Sequence, residues 1–214
     1  MEKIRKKHLK LLLFICMLSA TAFSQSKTGL QNYNFLGRGK EYVWMPVFHY
    51  QATKGFYAEL RYNYEDVQTL SLFAGKTFTG RNDLEWAITP MVGFSTGKFT
   101  GASLAVNAEA EWKDFYFSTQ AQFSRSTESA TDNFFFNWSE GGYNLSENFF
   151  GGIAVQFTGM QNGCELEPGF VAGLNLKNLS VPVYIFNPFK QGTYFVLGLN
   201  YSFDLKRNIK RVQQ

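Results

Sequence analysis

The chain has 214 residues, enough for one domain or one membrane barrel and too few for a multidomain enzyme. It is 18% aromatic, with 23 Phe and 11 Tyr, yet only 18% charged, at a mean hydropathy of −0.21. So many rings exclude a disordered chain, and the sequence lacks the run of roughly 18 apolar residues that a membrane-spanning helix requires.

The N-terminus reads as an export signal. Lys3, Arg5, Lys6, Lys7 and Lys10 form a basic head, followed by an apolar run over residues 11–22. Small Ala22 and Ser24 then stand at the −3 and −1 positions of a cut before Gln25. This layout predicts a secretory signal peptide over 1–24, with an apolar core too short to span a bilayer. Five of the 21 basic residues and one of the 17 acids lie in it, so the mature chain is formally neutral. Nucleic-acid binding is therefore not expected. Cys16 leaves with the signal, which isolates Cys164 and excludes an intramolecular disulfide.

From residue 41 onward the dominant period is two. In 55–65, Ala58, Leu60, Tyr62 and Tyr64 alternate with Glu59, Arg61, Asn63 and Glu65. In 103–112, Leu104, Val106, Ala108, Ala110 and Trp112 alternate with Ala105, Asn107, Glu109 and Glu111. Segments 115–124 and 194–203 repeat the pattern. Such alternation marks strands with one apolar and one polar face. Eleven segments are clear: 41–51, 55–64, 67–78, 84–94, 101–112, 114–125, 132–139, 148–158, 167–176, 179–187 and 192–204. Turn signals between them include Lys113-Asp114, Gly141-Gly142 and Asn162-Gly163. Pro46, Pro90 and Pro182 fall inside strands, where they are expected at bulges or strand ends.

The apolar set is large (Phe, Tyr, Leu, Val, Trp) and the polar set small (Gly, Ser, Asn, Gln). That is the pattern of a membrane barrel, apolar outside and polar within; a soluble sandwich or lipocalin-like barrel is the alternative, since alternation alone does not tell inside from outside. Trp86, Trp112 and Trp138 each lie near a turn and are expected in an aromatic belt at the lipid interface. With the signal ending AFSQ, serial aromatic strands over 30–204 and the closing strand TYFVLGLNYSFDL, the chain resembles the small outer-membrane β-barrel proteins of Gram-negative bacteria. The resemblance implies an all-β, up-and-down antiparallel barrel in the outer membrane. It departs from the class pattern where the chain runs past Phe203 into the basic tail KRNIKRVQQ. Bacterial barrels hold an even number of strands. Residues 29–36 therefore supply a twelfth, with ten strands as the alternative. The expected organisation is signal peptide 1–24, barrel 25–205 and tail 206–214.

Little in the sequence supports catalysis. His49 is the only histidine left after export, and nothing in spacing joins it to Ser118, Ser124 or Ser139. No cofactor and no metal site are expected. Glu59, Arg61, Glu85, Glu109, Glu111 and Glu167 share the small polar face with Asn107, Gln120 and Gln122, so these nine residues are the candidates for lining the lumen. They would form either a charged path for solutes or a salt-bridge network that fills the barrel. The connections are short, the longest near 125–132, which argues against a loop folded inward as a constriction. The leading function is a narrow passive channel for small hydrophilic solutes. A non-conducting accessory barrel serving a membrane complex competes with it, and a lipid-modifying enzyme is third. The partners implied are outer-membrane lipid and small hydrophilic solutes or another membrane protein.

Overall fold

The computed structural model describes residues 26–37 and 42–205; the expected signal peptide, 1–24, and the expected tail, 206–214, lie outside them. Thirteen strand segments follow one another: β1 Ser26–Leu36, β2 Val43–Gln51, β3 Phe56–Tyr62, β4 Thr69–Lys76, β5 Phe78–Arg81, β6 Glu85–Gly97, β7 Gly101–Trp112, β8 Phe115–Ser126, β9 Phe134–Asn144, β10 Phe149–Met160, β11 Gly163–Leu176, β12 Leu179–Phe186 and β13 Tyr194–Leu205. Every pairing is antiparallel, and β13 closes the sheet on β1 from Ser26↔Leu205 to Leu36↔Phe195. β4 and β5 both pair with β6 in one continuous register, Gly75↔Met91 and then Phe78↔Ile88. They are two halves of one strand, and the barrel has twelve.

Proline accounts for the break. Lys76 stands opposite Pro90, whose nitrogen has no hydrogen to donate, so the ladder lapses there without slipping. Pro182 does the same between β12 and β13, where pairing stops after Ser180↔Asn200 and resumes at Val183↔Leu197. Pro46 stands one residue beyond the last β2–β3 pair, Val47↔Arg61. None of the three forms a bulge, and Pro90 and Pro182 lie mid-strand rather than at the expected ends.

The two faces of the wall differ in chemistry. Outward stand Leu60, Leu72, Val92, Phe94, Leu104, Ile153 and Phe170, each more than two-fifths exposed. In water this surface would far exceed the apolar patch a soluble protein carries; in a bilayer it is required. Inward, Phe73, Phe186, Tyr194 and Val196 are almost wholly buried beside buried Ser71, Ser95, Ser124 and Gln122. Ser26 and Leu205, the outer ends of β1 and β13, lie at one end with the connections 52–55, 82–84, 113–114, 145–148 and 177–178. That is the periplasmic end in barrels of this class, with the longer connections outside. Trp86 and Trp112 face outward near it, where Trp112 stacks on Phe115 at 6.1 Å and Lys113 lies 4.8 Å from the Trp112 ring. At the opposite end, outward Trp44 packs on Tyr62 at 6.4 Å.

Trp138 departs from the expected belt. It points into the barrel, only 9% exposed, against Tyr184 at 5.1 Å, Tyr33 at 5.3 Å and Phe186 at 5.7 Å. Gly141-Gly142 is not a turn either, since β9 continues through it to Asn144. A β-carbon on Gly142 would come within 2.7 Å of the Tyr116 ring. The glycine therefore makes room for an inward ring.

Candidate functional site

The lumen holds two cavities in series. The outer one, about 680 Å³, is reached between the connections at the extracellular end; the inner one, about 400 Å³, lies towards the periplasm. Tyr64 and Trp138 line both, so they form the waist between them. A periplasmic mouth of about 860 Å³ shares Glu109, Ser118, Glu140 and Ser202 with the inner cavity.

The waist is built by segment 63–68, which joins β3 to β4 and folds into the barrel. Asn63 and Gln68 adopt left-handed backbone at φ 58° and 57°, a conformation Asn tolerates better than most residues. The Asn63 amide donates to Thr69 O at 2.9 Å, and the Gln68 amide donates to the Asn63 side chain at 2.7 Å. This tight turn drops Tyr64 across the lumen, where its hydroxyl donates to Gln120 on β8 and its ring meets Phe136 edge-on at 5.9 Å. A short connection thus constricts the barrel, contrary to expectation.

Below the turn sits Arg61, 1% exposed. Its guanidinium pairs with Glu59 and, at 3.5 Å, with Glu65, and donates to Gln122 Oε1 at 2.7 Å. Its central carbon lies 4.3 Å from the Tyr64 ring and 4.1 Å from Phe73, so the cation is held between two aromatic faces. Phe73 reaches this place because Gly93 leaves it room; a β-carbon there would stand 2.4 Å from the ring. Gln122 donates onward to Ser124 at 2.7 Å and to Glu65 at 3.2 Å, and Ser71–Ser95 and Ser103–Ser124 each close at 2.8 Å. Two carboxylates and one guanidinium taken out of water hold because nearly every polar atom finds a partner.

The other candidates divide by position. Asn107 and Glu109 line the inner cavity, and Glu111 the mouth. Glu167 is buried on β11 and accepts from Asn187 at 3.3 Å. Glu85 does not join them: it is exposed at the end of β6, paired with Arg81 at 2.8 Å. Three residues the sequence reading passed over belong to the site. Glu65 and Tyr64 sit on the inward turn, and Glu140 accepts from Tyr184 at 2.8 Å and Ser118 at 3.3 Å. His49 stacks on Tyr57 at 6.0 Å over the inner cavity, whereas Ser139 faces outward, bonded to Thr119 at 2.7 Å.

Acids outnumber bases along the whole path. The outer cavity carries Glu65, Asp66, Glu128 and Asp132 against Lys98. The inner cavity and mouth carry Glu59, Glu109, Glu111, Asp114, Glu140 and Glu147 against Lys27.

No protein-family model and no curated protein sequence matches the chain. Solved structures share its architecture. The KdgM porin in complex with disordered oligogalacturonate superposes with a TM-score of 0.62 at 12% identity, over 82% of this chain and 99% of that one. A second KdgM porin structure gives 0.61 at 12% identity over the same shares. The NanC porin gives 0.52 at 10% identity, over 81% of this chain and 98% of that one. At these identities the likeness is one of fold. The chain is a small outer-membrane β-barrel of porin architecture, and its apolar outer wall seats it in the bacterial outer membrane.

Proposed function

We propose that the barrel is a narrow passive channel for small hydrophilic solutes, and that it prefers cations. The carrying observation is the pair of cavities that meet at Tyr64 and Trp138, with acid in excess on both sides of the waist. Carboxylates in a confined, partly desolvated passage lower the energy of a cation there and raise that of an anion. An anionic cargo such as the oligogalacturonate of the KdgM structure would be opposed by this lining. Under this reading Glu59, Tyr64, Asn107, Glu109, Glu111, Gln120 and Glu140 line the passage, and the almost wholly buried Arg61 and Gln122 support the waist from behind. Transport here is diffusion, with no reacting group and no cofactor.

Single-channel recording on the refolded protein tests the reading. Under a salt gradient the reversal potential should have the sign of cation preference. Glu109→Gln combined with Glu111→Gln should move it towards zero, because both lie at the periplasmic mouth. Tyr64→Ala should raise the conductance several-fold, since it removes both the ring at the waist and its bond to Gln120. A well-folded barrel that stays silent, in the parent and in Tyr64→Ala, would overturn the channel and leave a structural barrel serving a partner.

A further inference from the structure

The outer cavity is more than the entrance to a passage, because aromatic rings and carboxylates without an ion-pair partner among the described residues meet in it. Rings line its wall, Phe35 on β1 and Phe134, Phe136 and Trp138 on β9. Connection 127–133, which leads directly into β9, brings Glu128 and Asp132 to the rim above these rings. The remaining charges there are already engaged: Asp66 holds Lys98 at 3.2 Å, and Glu65 is bound to Arg61, Ser71 and Gln122. Glu128 and Asp132 have no ion-pair partner among the described residues. Independently, Gln156 lines the same cavity while only 1% exposed. Its Oε1 accepts from Tyr194 at 3.3 Å, and its Nε2 is buried without a partner. An amide N–H group left unbonded in a cavity wall calls for an oxygen acceptor inside.

From these features we propose that the outer cavity is a binding station for small amphipathic cations: a protonated amine on an aromatic body that carries a hydroxyl oxygen. The amine would sit at Glu128 and Asp132, the ring against the aromatic wall, and the oxygen at Gln156 Nε2. A cavity of about 680 Å³ takes a guest of this size with several waters. Rings contribute apolar contact and also attract a cation through their faces, so one wall serves both ends of the guest. The proposal rests on the channel reading only in naming what enters from outside; binding itself needs no passage through the waist.

Calorimetric titration of the full-length barrel in detergent, with three isosteric probes, tests it. Tyramine carries the amine, tyrosol a neutral hydroxyl in its place, and 4-hydroxyphenylacetate a carboxylate. Tyramine should bind saturably, about tenfold or more tighter than tyrosol, as expected for a cation gaining carboxylate and ring contacts; 4-hydroxyphenylacetate should bind weakest. Glu128→Gln with Asp132→Asn changes only exposed connection side chains and should bring tyramine down to the level of tyrosol. Gln156→Leu should weaken tyramine and tyrosol alike. No saturable tyramine binding, equal affinity for tyramine and tyrosol, or an undiminished preference in the Glu128/Asp132 variant would each overturn the proposal. Tyramine binding by a barrel that never conducts would instead sink the channel and leave the station standing.

Discussion

Val106→Arg should keep the barrel from reaching its folded state in lipid, while Ser118→Arg should fold nearly as well as the parent. The two positions stand on adjacent strands but on opposite faces. Val106 faces outward in the middle of β7, between Leu104 and Ala108 on the apolar side. An arginine near the bilayer midplane costs about 2–4 kcal/mol, a large part of the stability of a small barrel. Ser118 faces inward on β8 and donates to Glu140, so a guanidinium there gains a carboxylate partner. Folding yield in phospholipid vesicles, read from the gel mobility of unheated samples, separates the two. Equal failure at both positions would mean that the lumen tolerates no further bulk. The reverse order would mean that the apolar face is the interior.

Removal of the buried cation should be at least as damaging. Arg61→Met leaves Glu59 and Glu65 facing each other in the lumen without their counter-ion. Breaking one side of a buried pair costs about 3–5 kcal/mol, most of it from the charge left behind. The variant should therefore unfold at clearly lower urea than the parent. Adding Glu59→Gln and Glu65→Gln to it should restore most of the loss, because no uncompensated charge then remains. If the triple variant were no more stable than Arg61→Met alone, packing between Tyr64 and Phe73 would be the main role of Arg61, with charge secondary.

The architecture was legible where alternation was strict. In 103–112 every second residue is apolar, in 115–124 all but Thr119 are, and that set stands on the outer wall. Strand number followed from eleven segments and the even-number rule, which admitted residues 29–36 as the twelfth, now β1. Legibility failed where the alternation failed. Residues 134–136 are three phenylalanines in a row, so the period could not say which way Trp138 points. Proximity to a supposed turn at Gly141-Gly142 then sent it outward and left Glu140 out of account. The signal was present in a weaker form: Trp138 shares parity with Glu140, and a carboxylate at mid-strand belongs inside. Glu65 and Tyr64 were hidden for another reason. They follow the end of β3, and only the left-handed turns at Asn63 and Gln68 bring them back over the lumen. Period-two reading carries no information past the last ladder bond.

The seam between β1 and β13 also dictates when the molecule can exist. The register Ser26↔Leu205 to Leu36↔Phe195 joins the two ends of the described chain, the contacts of greatest sequence separation in the barrel. Until β13 is available, β1 and β12 each present a row of unbonded amides and carbonyls, which hydrocarbon cannot solvate. Neither edge is tolerable in lipid, so insertion cannot proceed stably strand by strand from the N-terminus. The chain must be held, protected from water and from other copies, until its last strand is available to close the seam. Its folding is slow by topology, since the entropy of closing the longest loop is lost before the seam's hydrogen bonds form. A nascent chain that stops short of Tyr194 would be a substrate for degradation rather than a smaller barrel.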